Sequence, residues 1–141
     1  MRIFISYTII SFFLASAVFS DEKPGRNFAD LPDVDDGYNI HVMYVLPKDG
    51  VDKEYDLDSK ISMLMYQIDK WFNSKTKDRL FADGQNLKFD RKDDSKIDIT
   101  FLRLDINDDE ISKHGIQAVN ILQPAISRFG FDDPKKVYFI I

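Results

Sequence analysis

Apolar residues recur along the chain with two different periods, and the switches between them mark out the elements. From Asn39 to Leu46 the chain places Ile40, Val42, Tyr44 and Leu46 on one face of a strand, while Met43 and Val45 make the other face apolar too. A strand apolar on both sides belongs inside a sheet covered on both faces. Pro47 and the Asp49-Gly50 turn end it. Leu57, Ile61, Leu64, Met65, Ile68, Trp71 and Phe72 then follow steps of 4, 3, 1, 3, 3 and 1, with Asp56 or Asp58 placed to cap the start. That is the spacing of a helical stripe. Trp71 on this stripe is expected in the core together with Leu64 and Ile68, and truncating it to Ala would cost about 3–5 kcal/mol.

Beyond a polar stretch broken at Asp83-Gly84, Leu87-Lys88-Phe89 reads as a short strand. Ile97, Ile99 and Phe101, then Leu102 and Leu104, form a longer one with Asp98 and Thr100 on its opposite face. The loop between them, Asp90 to Lys96, is wholly polar, which predicts an antiparallel hairpin. Asn107-x-x-Glu110 has the form of a capping box, and a second helical pattern begins at Ile111. His114-Gly115 interrupts it; Ala118, Ile121, Leu122, Ala125, Ile126 and Phe129 resume it. Pro124 lacks a backbone donor, so a kink or restart is expected there. After Asp133-Pro134, Val137 to Ile141 is an apolar strand. The order is strand, helix, strand, strand, broken helix, strand: an α/β (α+β) domain with a mixed four-stranded sheet and two helices. A strand of five apolar residues reaching Ile141 with no polar closing turn also predicts a domain that is incomplete at its C-terminal side.

The amino-terminal end follows a different logic. Met1-Arg2 carries one positive charge, and Ile3 to Phe19 holds none. Small residues then precede Asp21-Glu22-Lys23. This is the pattern of a secretory signal, and cleavage after Ser20 or after Ala17 satisfies it. Ser6, Tyr7, Thr8 and Ser11 dilute the apolar run, so no stable membrane anchor is expected to remain. The product is expected to be secreted or periplasmic. Residues 21–38, with Pro24, Gly25, Pro32, Gly37 and a group of aspartates, read as an acidic exposed leader; residues 39–141 read as the single domain.

Composition narrows the chemistry further. The 141 residues carry 19 Lys plus Arg against 24 Asp plus Glu, and removing residues 1–20 takes away Arg2 and moves the net charge from -5 to -6. An acidic chain lacks the basic face that nucleic acid requires. With no cysteine there is no disulfide, thiolate metal site or Cys nucleophile. Only two histidines exist, His41 within the first strand and His114 beside Gly115, and neither has a second ligand at helical spacing. Ordinary structural roles are expected for both. Asp33 to Gly37 lacks the alternation and the distal Glu of a calcium loop. The pairs Asp93-Asp94, Asp108-Asp109 and Asp132-Asp133 fall in turns or helix starts, where they serve solubility and capping. No nucleophile elbow or phosphate loop occurs. No catalytic, cofactor-binding or metal-ligating residue is assigned from the pattern.

From Tyr38 onward the chain resembles secreted bacterial proteins of metzincin-like zinc-peptidase type. The resemblance rests on His41 to Pro47 followed by Asp49 to Asp52, Leu57-Asp58, Trp71-Phe72 and Leu87 to Phe89. It continues through Ile97 to Leu104, Glu110-Ile111 with Gly115, Phe129 to Phe131 and Lys136 to Tyr138. In that group a later half brings the zinc-binding His-Glu-type helix, so the resemblance carries no ligand or general base onto these residues. It implies the N-terminal scaffold portion of an exported zinc-metallopeptidase-like protein, with zinc expected only where that half is present. The alternative is a complete small exported domain that binds a protein or peptide partner without enzymatic activity. A stand-alone hydrolase working through carboxylates ranks last.

Overall fold

The computed structural model describes residues 21–34, 36–79, 83–92 and 96–141. Residues 1–20, read as a secretory signal, and the Asp93-Asp94 pair lie outside them. The first strand, β1 (Asn39–Leu46), leads through α1 (Lys60–Arg79) to β2 (Ile99–Arg103). A short helix, α2 (Asp108–Lys113), and a 3-10 turn at Gly115–Gln117 precede α3 (Val119–Ser127), which returns the chain to β3 (Lys136–Ile140). The sheet order is β2-β1-β3, and both pairings are parallel. The chain moves to one side of β1 and then to the other, and crossovers of one hand therefore put their helices on opposite faces.

Each face has its own core. On one side Ile61 and Met65 of α1 pack against Val42, Tyr44, Ile99 and Phe101, with Phe89 completing the cluster. On the other, Ala125 and Ile126 of α3 meet Met43, Val45, Leu102, Leu104 and Phe131. The doubly apolar pattern of β1 is the direct cause, since β1 is the only strand with a hydrogen-bonded neighbour on each side among the three.

The structure is α/β, but the sheet has three parallel strands rather than four mixed ones. Leu87 to Phe89 contributes a single parallel bridge, Ile40 with Phe89, held by Ile40 N–H to Lys88 O (2.7 Å) and Asp90 N–H to Ile40 O (2.9 Å). It forms no ladder because Asp90 turns inward, to His41 and Lys136. The expected hairpin survives as one antiparallel bridge, Arg91 with Ile97. The second helix is broken as expected, but its restart lies at Val119 and Pro124 sits inside α3.

Two further expectations are corrected. Leu64 and Trp71 are exposed, Trp71 at 62%. The buried stripe of α1 runs through Ile61, Met65 and the half-buried Ile68, whose 4,3 spacing leaves Leu64 and Trp71 turned from the sheet. Residues 21–34, read as an exposed leader, form an arm against the fold: Arg26 is buried, and Asn27 pairs in parallel with Thr100. The caps are mixed. Asp58 accepts from Lys60 N–H (3.0 Å), as placed, while Asn107 makes no side-chain cap and Asp49 instead accepts from Asp108 N–H (2.9 Å).

Candidate functional site

The sheet face under α3 is apolar along most of β1 but polar at its start. His41 lies on that face two residues after the buried Asn39, 0% exposed, with Phe131 stacked near its ring and Tyr138 edge-on, both at 5.9 Å between centroids. Its Nδ1 lies 2.9 Å from Asp90 Oδ2 and its Nε2 lies 2.9 Å from Thr100 Oγ1. Thr100 Oγ1 is also within 3.3 Å of the Ala29 carbonyl of the arm. Asp98, two residues before Thr100 and on the same side of the chain, is wholly buried and accepts from Leu31 N–H (3.0 Å) and Asn27 Nδ2 (3.4 Å).

Lys136 opens β3 and sends its ammonium into this cluster. Nζ donates to Asp30 Oδ2 (2.7 Å), Asp33 Oδ1 (2.5 Å) and Asp90 Oδ2 (2.8 Å). Burial acts to lower its pKa, but the hydrogen bonds to these three carboxylates prevail and raise it above the usual lysine value. Burial likewise pushes Asp90 up, yet the bonds from Lys136 and His41 outweigh it and hold Asp90 below the ordinary carboxylate range. Asp98 shifts the other way: burial raises its carboxyl, only partly opposed by the Leu31 N–H and the nearby His41.

Donor atoms of Asp30, His41, Asp90 and Asp98 lie within 4.8 Å of one another, a set of the type that holds a divalent ion. Here the Lys136 ammonium already lies against Asp30 and Asp90 of that set, and an ion would have to displace it. We assign no ligand role to them. The cluster also sits at the amino ends of β1 and β3, whereas ligand crevices of open α/β sheets lie outside the carboxyl ends of the strands. Thr100, His41 and Asp90 have the order of a hydroxyl–imidazole–carboxylate relay, but Thr100 is wholly buried beneath the arm, its hydroxyl on the Ala29 carbonyl. Every buried side-chain polar atom among the described residues has a partner, which is the signature of a locked network rather than an open site.

His114 stands apart from this cluster as the exposed residue that ends α2 and begins the 3-10 turn. Asp108-Asp109 occupies the first turn of α2, as expected of capping acids, and Asp132-Asp133 is exposed in the turn before β3. Asp30, Asp33, Asp90 and Lys136 were not legible as one cluster with His41, since they come from three segments distant from β1 in sequence. The one available signal was the polar start of the second face, where His41 in β1 and Asp98 and Thr100 before and within β2 break an otherwise apolar pattern.

A second anchor ties the arm to the opposite side of the sheet. Arg26 Nη1 donates to Asp52 Oδ2 (2.7 Å), Nη2 donates to Asp56 Oδ1 (2.8 Å), and the guanidinium lies 3.9 Å from the Phe101 ring centroid. The bond from Arg26 holds the Asp52 carboxyl well below its usual range. No helix among the described residues is long and apolar enough to cross a membrane. No family model, curated protein or solved structure matches the chain.

Proposed function

We propose that this domain is the non-catalytic scaffold portion of an exported zinc-metallopeptidase-like protein, an α/β layer against which a further strand-bearing segment packs. The observation that carries this reading is the outer edge of β3. Ile141 N–H donates to Met43 O (2.9 Å) and Val45 N–H to Ile141 O (3.0 Å), so in a parallel ladder the odd-numbered residues of this strand turn their backbone toward β1. The backbone groups of Tyr138 and Ile140 point the other way, and no described strand meets them. Val137 is 66% and Phe139 39% exposed on the α1 face of the same strand. On the α3 face a groove of about 440 Å³ is lined by Val119, Leu122, Ile126, Tyr138 and Ile140. An open, apolar-flanked edge is what strand addition uses and what an unfinished sheet leaves exposed.

The resemblance described above supports the peptidase-like assignment, and the fully hydrogen-bonded His41 cluster supports a structural role. The same edge would also serve the alternative reading, a small exported domain that binds a protein or peptide partner. Reading the coding frame past the Ile141 codon separates the two. A continuing frame that carries a His-Glu-type zinc helix is the expected result; a stop codon there overturns the scaffold reading and leaves partner binding.

A further inference from the structure

His41 is buried with a polar partner at each ring nitrogen, and counting the protons between them shows what its charge controls. The Thr100 hydroxyl has one proton to donate. Its oxygen lies 2.9 Å from His41 Nε2 and 3.3 Å from the Ala29 carbonyl of the arm. A neutral ring with its proton on Nδ1 donates to Asp90, but Nε2 then takes the Thr100 proton and the Ala29 carbonyl loses its donor. A neutral ring with its proton on Nε2 frees the hydroxyl for Ala29, but sets the bare Nδ1 lone pair 2.9 Å from Asp90 Oδ2. That oxygen also accepts from Lys136 Nζ (2.8 Å), which favours the charged carboxylate. Only the imidazolium, donating from both nitrogens, completes the chain from Asp90 through His41 and Thr100 to Ala29. Its charge also acts on Asp30, the next residue of the arm, whose Oδ1 lies 3.4 Å from Nδ1.

We propose that His41 is a proton-operated latch for the arm: a proton taken up at Nε2 turns the Thr100 hydroxyl onto the Ala29 carbonyl and draws Asp30 to the ring. Loss of that proton releases both contacts, while Nδ1–H stays on Asp90. The closed arm therefore binds the proton more tightly than the open arm, so the arm is held harder below the ordinary imidazole range, about pH 6.5, and more loosely above it. Facing the ring are Asp30 of the arm, Asp90 and Asp98 ahead of β2, and Lys136 and Tyr138 of β3; Asp33 bonds to Lys136. Proton uptake at Asp98 acts in the opposite sense, because it takes charge from the acceptor of the Leu31 N–H.

Nitrogen NMR of the isotope-labelled intact chain, followed from pH 5 to pH 8.5, reads the ring directly. Both His41 nitrogens are expected to carry protons at the acid end, and Nε2 is expected to be the one that loses its proton as pH rises. Loss from Nδ1 instead, or a ring that keeps one charge state throughout, overturns the proposal. The arm is read by amide exchange at Phe101, whose N–H donates to Asn27 O (2.8 Å). Corrected for the intrinsic pH dependence of exchange, its protection is expected to be about 2- to 10-fold higher at pH 5.5 than at pH 8, as one hydrogen bond would give. Thr100→Ser keeps the hydroxyl and is expected to retain that difference. Thr100→Val has a similar volume without the hydroxyl and is expected to shrink it. An equal difference in Thr100→Val, or none in the parent chain or in Thr100→Ser, overturns the latch.

Discussion

The outer edges of β2 and β3 present the same backbone chemistry, yet described residues cover only the first. At β2, Phe101 N–H donates to Asn27 O (2.8 Å), Phe28 meets the Phe101 ring edge-on, and Arg26 lies over the same ring. At β3, Tyr138 and Ile140 turn their amides outward beside the exposed Val137 and Phe139. The difference teaches how a small parallel sheet closes an edge with little apolar surface. The arm contributes one strand-like residue and holds it with charged anchors, Asp21 on Arg103, Arg26 on Asp52 and Asp56, and Asp30 and Asp33 on Lys136. Lys136 belongs to β3, so the uncovered strand supplies an anchor for the arm that covers the opposite edge.

That dependence gives the largest expected effect. Lys136→Ala leaves Asp90 buried without its cation and frees Asp30 and Asp33, and removal of one partner from a buried pair typically costs about 3–5 kcal/mol. Urea unfolding is expected to show a loss in that range. A loss below about 1 kcal/mol would mean that the cluster is not what joins the arm to β3.

Acid should weaken the same anchors. Asp90 and Asp52 titrate lower in the folded chain than the ordinary value of about 3.9 for an unfolded Asp. Their stabilisation is therefore complete above that value and is lost as pH falls through it toward the folded values. Asp98 works in the opposite sense, because its raised carboxyl takes up a proton more readily in the fold, and stability is regained as pH falls through its raised value. Thermal melts are expected to give a lower Tm at pH 3 than at pH 6, with a steeper decline in Asp98→Asn, where the opposing contribution is gone. A Tm that does not fall between those values would contradict the charged anchoring of the arm.

The smallest effect is expected at Trp71. Exposed on α1, it should change stability by no more than about 0.5 kcal/mol when replaced by Ala. A loss of several kcal/mol would show that the outer face of α1 is covered in solution and that β3 is not the only surface awaiting a partner.

The legible part of the fold was the part set by local periodicity. The two-faced apolar pattern of β1 located the centre of the sheet, the 3,4 spacing after Leu57 located α1, and Gly115 located the break before α3. Misreadings arose where a partner distant in sequence decides the outcome. Trp71 fits a helical stripe, but β1 and β2 accept only the narrower line through Ile61 and Met65. Leu87 to Phe89 alternates like a strand until Asp90 is drawn to Lys136, 46 positions later. The aspartates of the arm look like solvated charge because their cations, Arg103 and Lys136, lie 82 and 106 positions away from Asp21 and Asp30. Among candidate site residues, His41 was noticed for its position, but no spacing rule links it to Asp90 and Thr100.

Amide hydrogen exchange on the intact chain tests the central claim, a closed β2 edge and an open β3 edge, most directly. The account predicts that Phe101 N–H, covered by Asn27, exchanges at least about tenfold more slowly than the outward amides of Tyr138 and Ile140. Equal protection at these three positions would contradict it, because the outer edge of β3 would then be as well covered as that of β2.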